Sequence, residues 1–265
     1  MILMAKYLVK NKMHYWQNSR SNWVSIVTII ALLIIWELVC RSGLISPLFL
    51  PAPSRILLAV WHLFQTGELQ SSLMASLYRI LIGFLLGSSL GLIIGLVTGT
   101  SSLIDKIGTP IIQMIYPIPK IALLPLFILW LGIGELSKVT IIALGVFFPI
   151  VMNTYSGVKN VDPLLIKVAV SFDATKSRIL RTVVFPSALP TIFAGFKLAA
   201  GTSLLLLVAA EMVAASEGIG ALILHYGDLM LTDKLMAGVL VLSILGLLFQ
   251  LLIQFIEKKV IHWKN

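Results

Sequence analysis

The stretch NVDPLLIKVAVSFDATKSRILRTVVFPSALP, Asn160–Pro190, is polar and basic and lies between two strongly apolar segments. Asp162 followed by Pro163 reads as a helix start. The carboxylate caps first-turn amides that have no helical partner, and Pro fits where its missing N–H costs nothing. Leu165, Val168, Ala169 and Phe172 then share one face of an amphipathic helix. A second, basic helix is expected from about Lys176 to Val184, stopping at Pro186, with Pro190 beginning the next apolar run. A folded helix–turn–helix between two spans is a handle that a second protein can grip. The competing reading is a hairpin that binds only anionic lipid headgroups.

Composition puts those neighbouring runs in a membrane. The chain has 265 residues, of which 58% are hydrophobic and 12% charged. A soluble domain covers its surface with roughly 25% charged residues, so lipid must cover this one. The net charge of +9 does not mark a nucleic-acid binder, because the cations gather at segment ends. Lys6, Lys10, Lys12 and Arg20 precede the first apolar run. Lys159, Lys167, Lys176, Arg178 and Arg181 lie in or beside the central interlude, and Lys258, Lys259 and Lys264 close the chain. The single cysteine, Cys40, is read as a packing residue, and the four scattered histidines show no metal-site spacing.

Six spans are expected: Trp23–Cys40, Leu77–Thr98, a proline-interrupted Ile111–Leu131, Val139–Tyr155, Leu189–Val213 and Leu235–Ile256. The first exceeds a signal-peptide core and has no A-x-A-like site, so it reads as a retained span. The domain reading is a cytoplasmic segment 1–22, a transmembrane domain 23–257 with the central loop at 159–188, and a cytoplasmic tail 258–265. Both termini and the central loop then lie inside, as the distribution of cations requires. In the first outer loop, Pro51 and Pro53 precede Leu57, Val60, Trp61 and Phe64 at helical spacing, which predicts a short interfacial helix. Glu37 is read as a solvated residue near a span end.

Gly83, Gly87, Gly91, Gly95 and Gly99 recur every fourth residue on the second span and let another helix approach closely, as static packing or as a sliding contact. The third span is broken by Pro117, Pro119 and Pro125, and irregular backbone at membrane depth points to a buried or pathway-lining element. Lys120 lies at this break. It is read as snorkelling to the inner surface, the alternative being a position facing the pathway.

The interlude resembles the cytoplasmic loop of permease subunits of binding-protein-dependent ABC importers, E-A-A-x3-G-x9-I-x-L-P. With the final proline on Pro186, Phe185 falls on the Leu, Val183 on the Ile and Asp173 on the Gly. Ala169 falls on the second Ala, Val168 on the first and Lys167 on the Glu. Lys167 reverses a charge, and Asp173 replaces the turn glycine with a residue that tolerates left-handed geometry. Three further segments are similar to the branch serving nitrate, sulfonates, taurine and related solutes: SLYRILIGFLLGSSLGLIIGLVTG, IYPIPKIALLPLFILWLGIGELSKVTIIALGVFFPIVMNTYSGV and AAEMVAASEGIGALI.

The resemblance implies an all-α type I importer permease fold with a coupling helix–turn–helix. It also implies a second permease copy, a cytoplasmic ATPase carrying ATP and Mg, and an extracytoplasmic solute-binding protein. The chain has no G-x4-G-K-[ST] phosphate loop, so no cofactor is expected on it. Lys167, Ala169, Asp173, Ala174, Arg178 and Pro186 are the expected ATPase contacts, with Pro186 ending the helix rigidly. Lys120, Pro125, Thr202, Ser203 and Glu211 are candidates for the pathway or a gate. Glu211 is placed near the outer end, within reach of water, as a gate or structural hydrogen bond. No nucleophile–base pair marks an intramembrane enzyme, and a structural scaffold leaves the central loop without purpose. An ion-gradient-driven transporter would show an internal repeat and midplane charges. Sulfonate, taurine, nitrate or bicarbonate is the expected solute, with pyrimidine-type vitamin precursors or aromatic acids as alternatives.

Overall fold

The computed structural model describes residues 23–264, so Lys6, Lys10, Lys12 and Arg20 lie outside the described residues. Every regular element among the described residues is helical. The first helix, α1 (Trp23–Arg41), buries none of its apolar window against the rest of the chain. Its end is fastened through Glu37. That carboxylate accepts from Arg41 Nε at 2.6 Å, from the Ser54 N–H at 3.0 Å and from Ser54 Oγ at 2.6 Å. Ser54 lies in the first turn of α2 (Pro53–Gln65), so Glu37 supplies from another helix the cap that Ala52 cannot. Glu37 stays partly exposed at the span end, as expected, while holding these bonds.

The predicted short helix α2 is present, and it also has a second apolar stripe that packs against the rest of the chain. Ile56, Ala59 and Leu63 pack inward, whereas Leu57, Trp61 and Phe64 remain exposed. The helix is apolar on more than one face, and the inward stripe was the less conspicuous.

Three long helices make the core. The first, α3 (Glu68–Thr100), carries the glycine repeat, and every one of those glycines faces α6 (Glu135–Lys159). A Cβ on Gly87 would lie 2.3 Å from the Ala143 carbonyl oxygen and 2.8 Å from Val146 Cβ, so only a bare backbone fits there. The opposite side of α6 packs against α9 (Phe185–Ala214), where Gly157 approaches the Ala188 carbonyl and Gly195 approaches that of Pro149. Between these helices lie Ile80, Ile142, Val146, Ile150, Ala199 and Leu207, each almost wholly buried. The close fit along the whole glycine row favours static packing over sliding.

Between α3 and α6 the chain forms α4 (Ser102–Ile115), a short 3-10 turn Lys120–Leu123 and α5 (Leu124–Leu131). The two halves meet at 86° and together make one broken span. Pro117 and Pro119 account for the break, each removing a backbone donor. The last long helix, α11 (Thr232–Val260), is peripheral. It is tied to α9 by a Lys197–Glu257 ion pair. Counting the bent pair as one, six segments among the described residues are long and apolar enough to cross a membrane. The sequence did not disclose α10 (Ile219–Asp228), a short helix between α9 and α11.

Candidate functional site

At one end of the bundle the predicted helix–turn–helix is present. Its first helix, α7 (Pro163–Ser171), begins with Asp162 accepting from the Leu164 N–H at 2.8 Å. Its end is a Schellman turn. The Ala174 N–H reaches back to the Ala169 carbonyl (3.2 Å) and the Asp173 N–H to that of Val170 (2.9 Å), with Asp173 left-handed at φ 54°. The family spacing A-x3-G thus has a physical meaning here: Ala169 and Asp173 stand at the third-from-last helical position and the left-handed position of one capping motif. Ala169 and Ala174, both half-buried, are small residues at its two joined ends.

The next helix, α8 (Lys176–Ile179), is capped by Thr175 and does not stop at Pro186. Residues Leu180–Val184 open into a π turn that runs directly into α9, making one 39-residue helical segment, Lys176–Ala214. The expectation that Pro186 ends the helix is corrected. The π turn pairs the Phe185 N–H with the Leu180 carbonyl, and the wider ring accommodates a proline that can neither donate nor approach the carbonyl four residues back. Ile166, Ile179 and Val183 anchor the hairpin against Val158, Val184 and Ala188. Leu165, Val168 and Phe172 face outward, Phe172 being 81% exposed, beside exposed Lys167, Lys176, Arg178 and Arg181.

A second feature is a cavity of about 490 Å³ lined by Tyr116, Lys120, Gly145, Phe148, Pro149, Thr202 and neighbouring apolar residues. Two candidate pathway residues meet in it, and proline explains both positions. Pro149 has no N–H, so the Gly145 carbonyl loses its helical partner. Thr202 Oγ on α9 supplies a donor to it at 3.3 Å, shared with Ala199 O at 3.1 Å. Lys120 Nζ donates to the Tyr116 carbonyl at the α4–α5 break and lies 4.4 Å from the Phe148 ring centroid and 5.1 Å from that of Tyr116. The ammonium is turned back onto the break and lines the cavity. Pro125 is exposed in the first turn of α5 and does not line this cavity. Ser203 is fully buried, bonded to the Ala200 carbonyl.

Glu211 also lies elsewhere, at the end of the bundle opposite the helix–turn–helix, and water does not reach it: its exposure is 0%. Its carboxylate accepts from Ser76 Oγ (2.7 Å), Arg79 Nη1 (2.8 Å) and the Gly220 N–H (2.8 Å). Arg79 also grips Glu135 through two bonds of 2.7 and 2.8 Å and donates to the Glu217 carbonyl at 2.6 Å. Lys138 completes the cluster at 3.0 Å from Glu135. Gly218, at φ 130°, closes over it; a Cβ there would lie 2.4 Å from Glu211 Cδ. This network joins α3, α6, α9 and α10. Arg79, Glu135 and Lys138 were not singled out in the sequence, although an arginine inside SLYRILIGF and a glutamate inside AAEMVAA are mutually suggestive.

Fold and site together define a helical protein with several apolar spans and a folded hairpin projecting from one end of them. The model of the family described as "Binding-protein-dependent transport system inner membrane component" matches residues 87–262. The chain is 35% identical over 267 residues to the taurine transport system permease protein TauC of Escherichia coli (strain K12), covering 97% of each. It is 37% identical over 247 residues to the putative aliphatic sulfonates transport permease protein SsuC of Bacillus subtilis (strain 168), covering 93% of this chain and 90% of that one. A solved chain of the MetNI methionine ABC transporter has the same fold, with a TM-score of 0.61 at 21% identity over 72% of this chain and 95% of that one. The chain belongs to the binding-protein-dependent transport system inner membrane component family and is a permease subunit of an ABC importer.

Proposed function

We propose that this permease forms, as a pair of identical chains, the pathway for a small sulfonate such as taurine, driven by a separate ATPase and supplied by an extracytoplasmic binding protein. The solute class rests on the relatives named for taurine and aliphatic sulfonates. The ATPase docks on the α7–α8 hairpin, and the observation that carries this is its outward apolar face, Leu165, Val168 and Phe172, rimmed by cations. Lys167, Ala169, Asp173, Ala174 and Arg178 form the contact, while Pro186 and its π turn set how the hairpin joins α9. That end of the bundle, with both termini, faces the cytoplasm. The Arg79–Glu211 end receives the binding protein.

The test co-expresses the chain with a cognate ABC ATPase and solute-binding protein. Ala169→Trp and Phe172→Ala should reduce ATPase co-purification and uptake while the permease still inserts. Normal uptake with normal ATPase assembly in both variants would overturn the docking assignment. Uptake of nitrate but not of taurine or an alkanesulfonate would overturn the solute assignment.

A further inference from the structure

The buried and half-buried cations of the helical bundle are handled in two different ways. Arg79 and Lys138 are paired with Glu135 and Glu211, and Lys197 with Glu257. Lys120 makes no ion pair among the described residues, and no carboxylate lines its cavity. Its ammonium is held instead by one neutral carbonyl and two aromatic ring faces. These contacts fix its position without neutralising its charge. An ammonium has three N–H donors, and only one is used on Tyr116. An unneutralised cation at membrane depth is costly, and where it persists it marks a solute or ion route. The cavity's volume of about 490 Å³ falls in the roughly 300–1,000 Å³ range of small-molecule sites, and its walls are mostly apolar with few polar groups, as such sites are.

We infer that Lys120 is the point at which the anionic head group of the solute is held during transit, with Tyr116 and Phe148 presenting the ammonium and Gly145 and Pro149 of α6 shaping the wall beside it. The identity of that head group as a sulfonate rests on the solute reading above. The arrangement suits transport better than storage. One cation without a second fixed donor gives the anion a place to pause, while the ring faces keep the ammonium seated when the anion leaves.

The experiment uses the complete transporter in proteoliposomes, with ATPase and binding protein, in a Cys40→Ser background. Lys120→Cys is compared unmodified, after a methanethiosulfonate carrying an aminoethyl group, and after one carrying only a methyl group. Radiolabelled taurine uptake should fall about tenfold or more in Lys120→Cys, the scale of a lost bond to a charged group. The aminoethyl reagent should restore most of it and the methyl reagent should not. Because one protein is compared before and after modification, a folding defect cannot imitate that result. Wild-type uptake by Lys120→Cys, or equal effects of the two reagents, would overturn the inference. If the wild type excludes taurine but imports another anion, the solute reading falls and the same comparison on that anion decides Lys120. If it imports only uncharged solutes, both fall.

Discussion

Replacing Arg79 by Met should be among the most damaging single changes in this chain. Arg79 is 4% exposed and Glu211 0% exposed, and among the described residues the guanidinium is the one cation paired with this enclosed carboxylate. Without it, Glu211 keeps two neutral donors, Ser76 Oγ and the Gly220 N–H. Stranding one member of a buried pair costs about 3–5 kcal/mol. For a chain of this size that corresponds to a Tm lowered by about 6–20 °C. Glu211→Gln should cost less, about 1–3 kcal/mol, because Arg79 retains both bonds to Glu135 and its bond to the Glu217 carbonyl. Combining the two should cost less than the sum, since each removes the partner the other strands. The assay is thermal unfolding of the detergent-solubilised protein, followed by loss of the monodisperse size-exclusion peak. An Arg79→Met loss no larger than that of Glu211→Gln, or strict additivity in the double variant, would refute the reasoning.

Gly87→Ala should destabilise by about 1–3 kcal/mol, since its methyl group would meet the Ala143 carbonyl at 2.3 Å, and the same thermal assay reads it. Gly201→Ala, with nothing within 4 Å, should instead stabilise α9 by about 0.5–1 kcal/mol. Asp173→Gly should relieve a left-handed φ of 54° by about 1 kcal/mol, read as slower amide exchange at Ala174. Tyr226, in α10 beside Glu68, has its pKa raised to about 12 by burial and then by its hydrogen bond to that carboxylate. A raised folded pKa means its contribution is complete below the unfolded value near 10 and fades as pH rises through about 12. Tyr226→Phe should therefore flatten the alkaline loss of stability over that interval, measured by unfolding at stepped pH.

The spans were legible because each is a long apolar run bounded by charge, but their ends were not. α3 begins at Glu68, nine residues before the predicted Leu77, because Leu69, Ser72 and Ser76 are buried by neighbouring helices rather than by lipid. The same blindness hid α10, whose Gly218 start and short length carry no span signature. In the hairpin, Asp162, Pro163 and Asp173 were readable because capping and left-handed geometry are local. Pro186 was misread because a π turn depends on how α9 is held by its neighbours. Lys120 and Thr202 could be named from their chemistry alone. Their shared cavity could not, since it depends on the proline break at 117–119 and on Pro149 within α6, which come together only after folding. Arg79 and Glu211 are 132 residues apart, and nothing local to either announces the other.

The continuity of Lys176–Ala214 has a mechanical consequence. Thirty-nine residues at a helical rise of 1.5 Å make a shaft of roughly 58 Å, nearly twice the thickness of the hydrocarbon layer. One of its ends carries the hairpin, Thr202 stands along its length, and Glu211 closes its far end. A tilt of only about 5° applied at Lys176 sweeps the opposite tip through about 5 Å. A displacement on one membrane face is thus carried along the shaft toward the other, and the π turn at Leu180–Val184 and the prolines at 186 and 190 are where the shaft can flex.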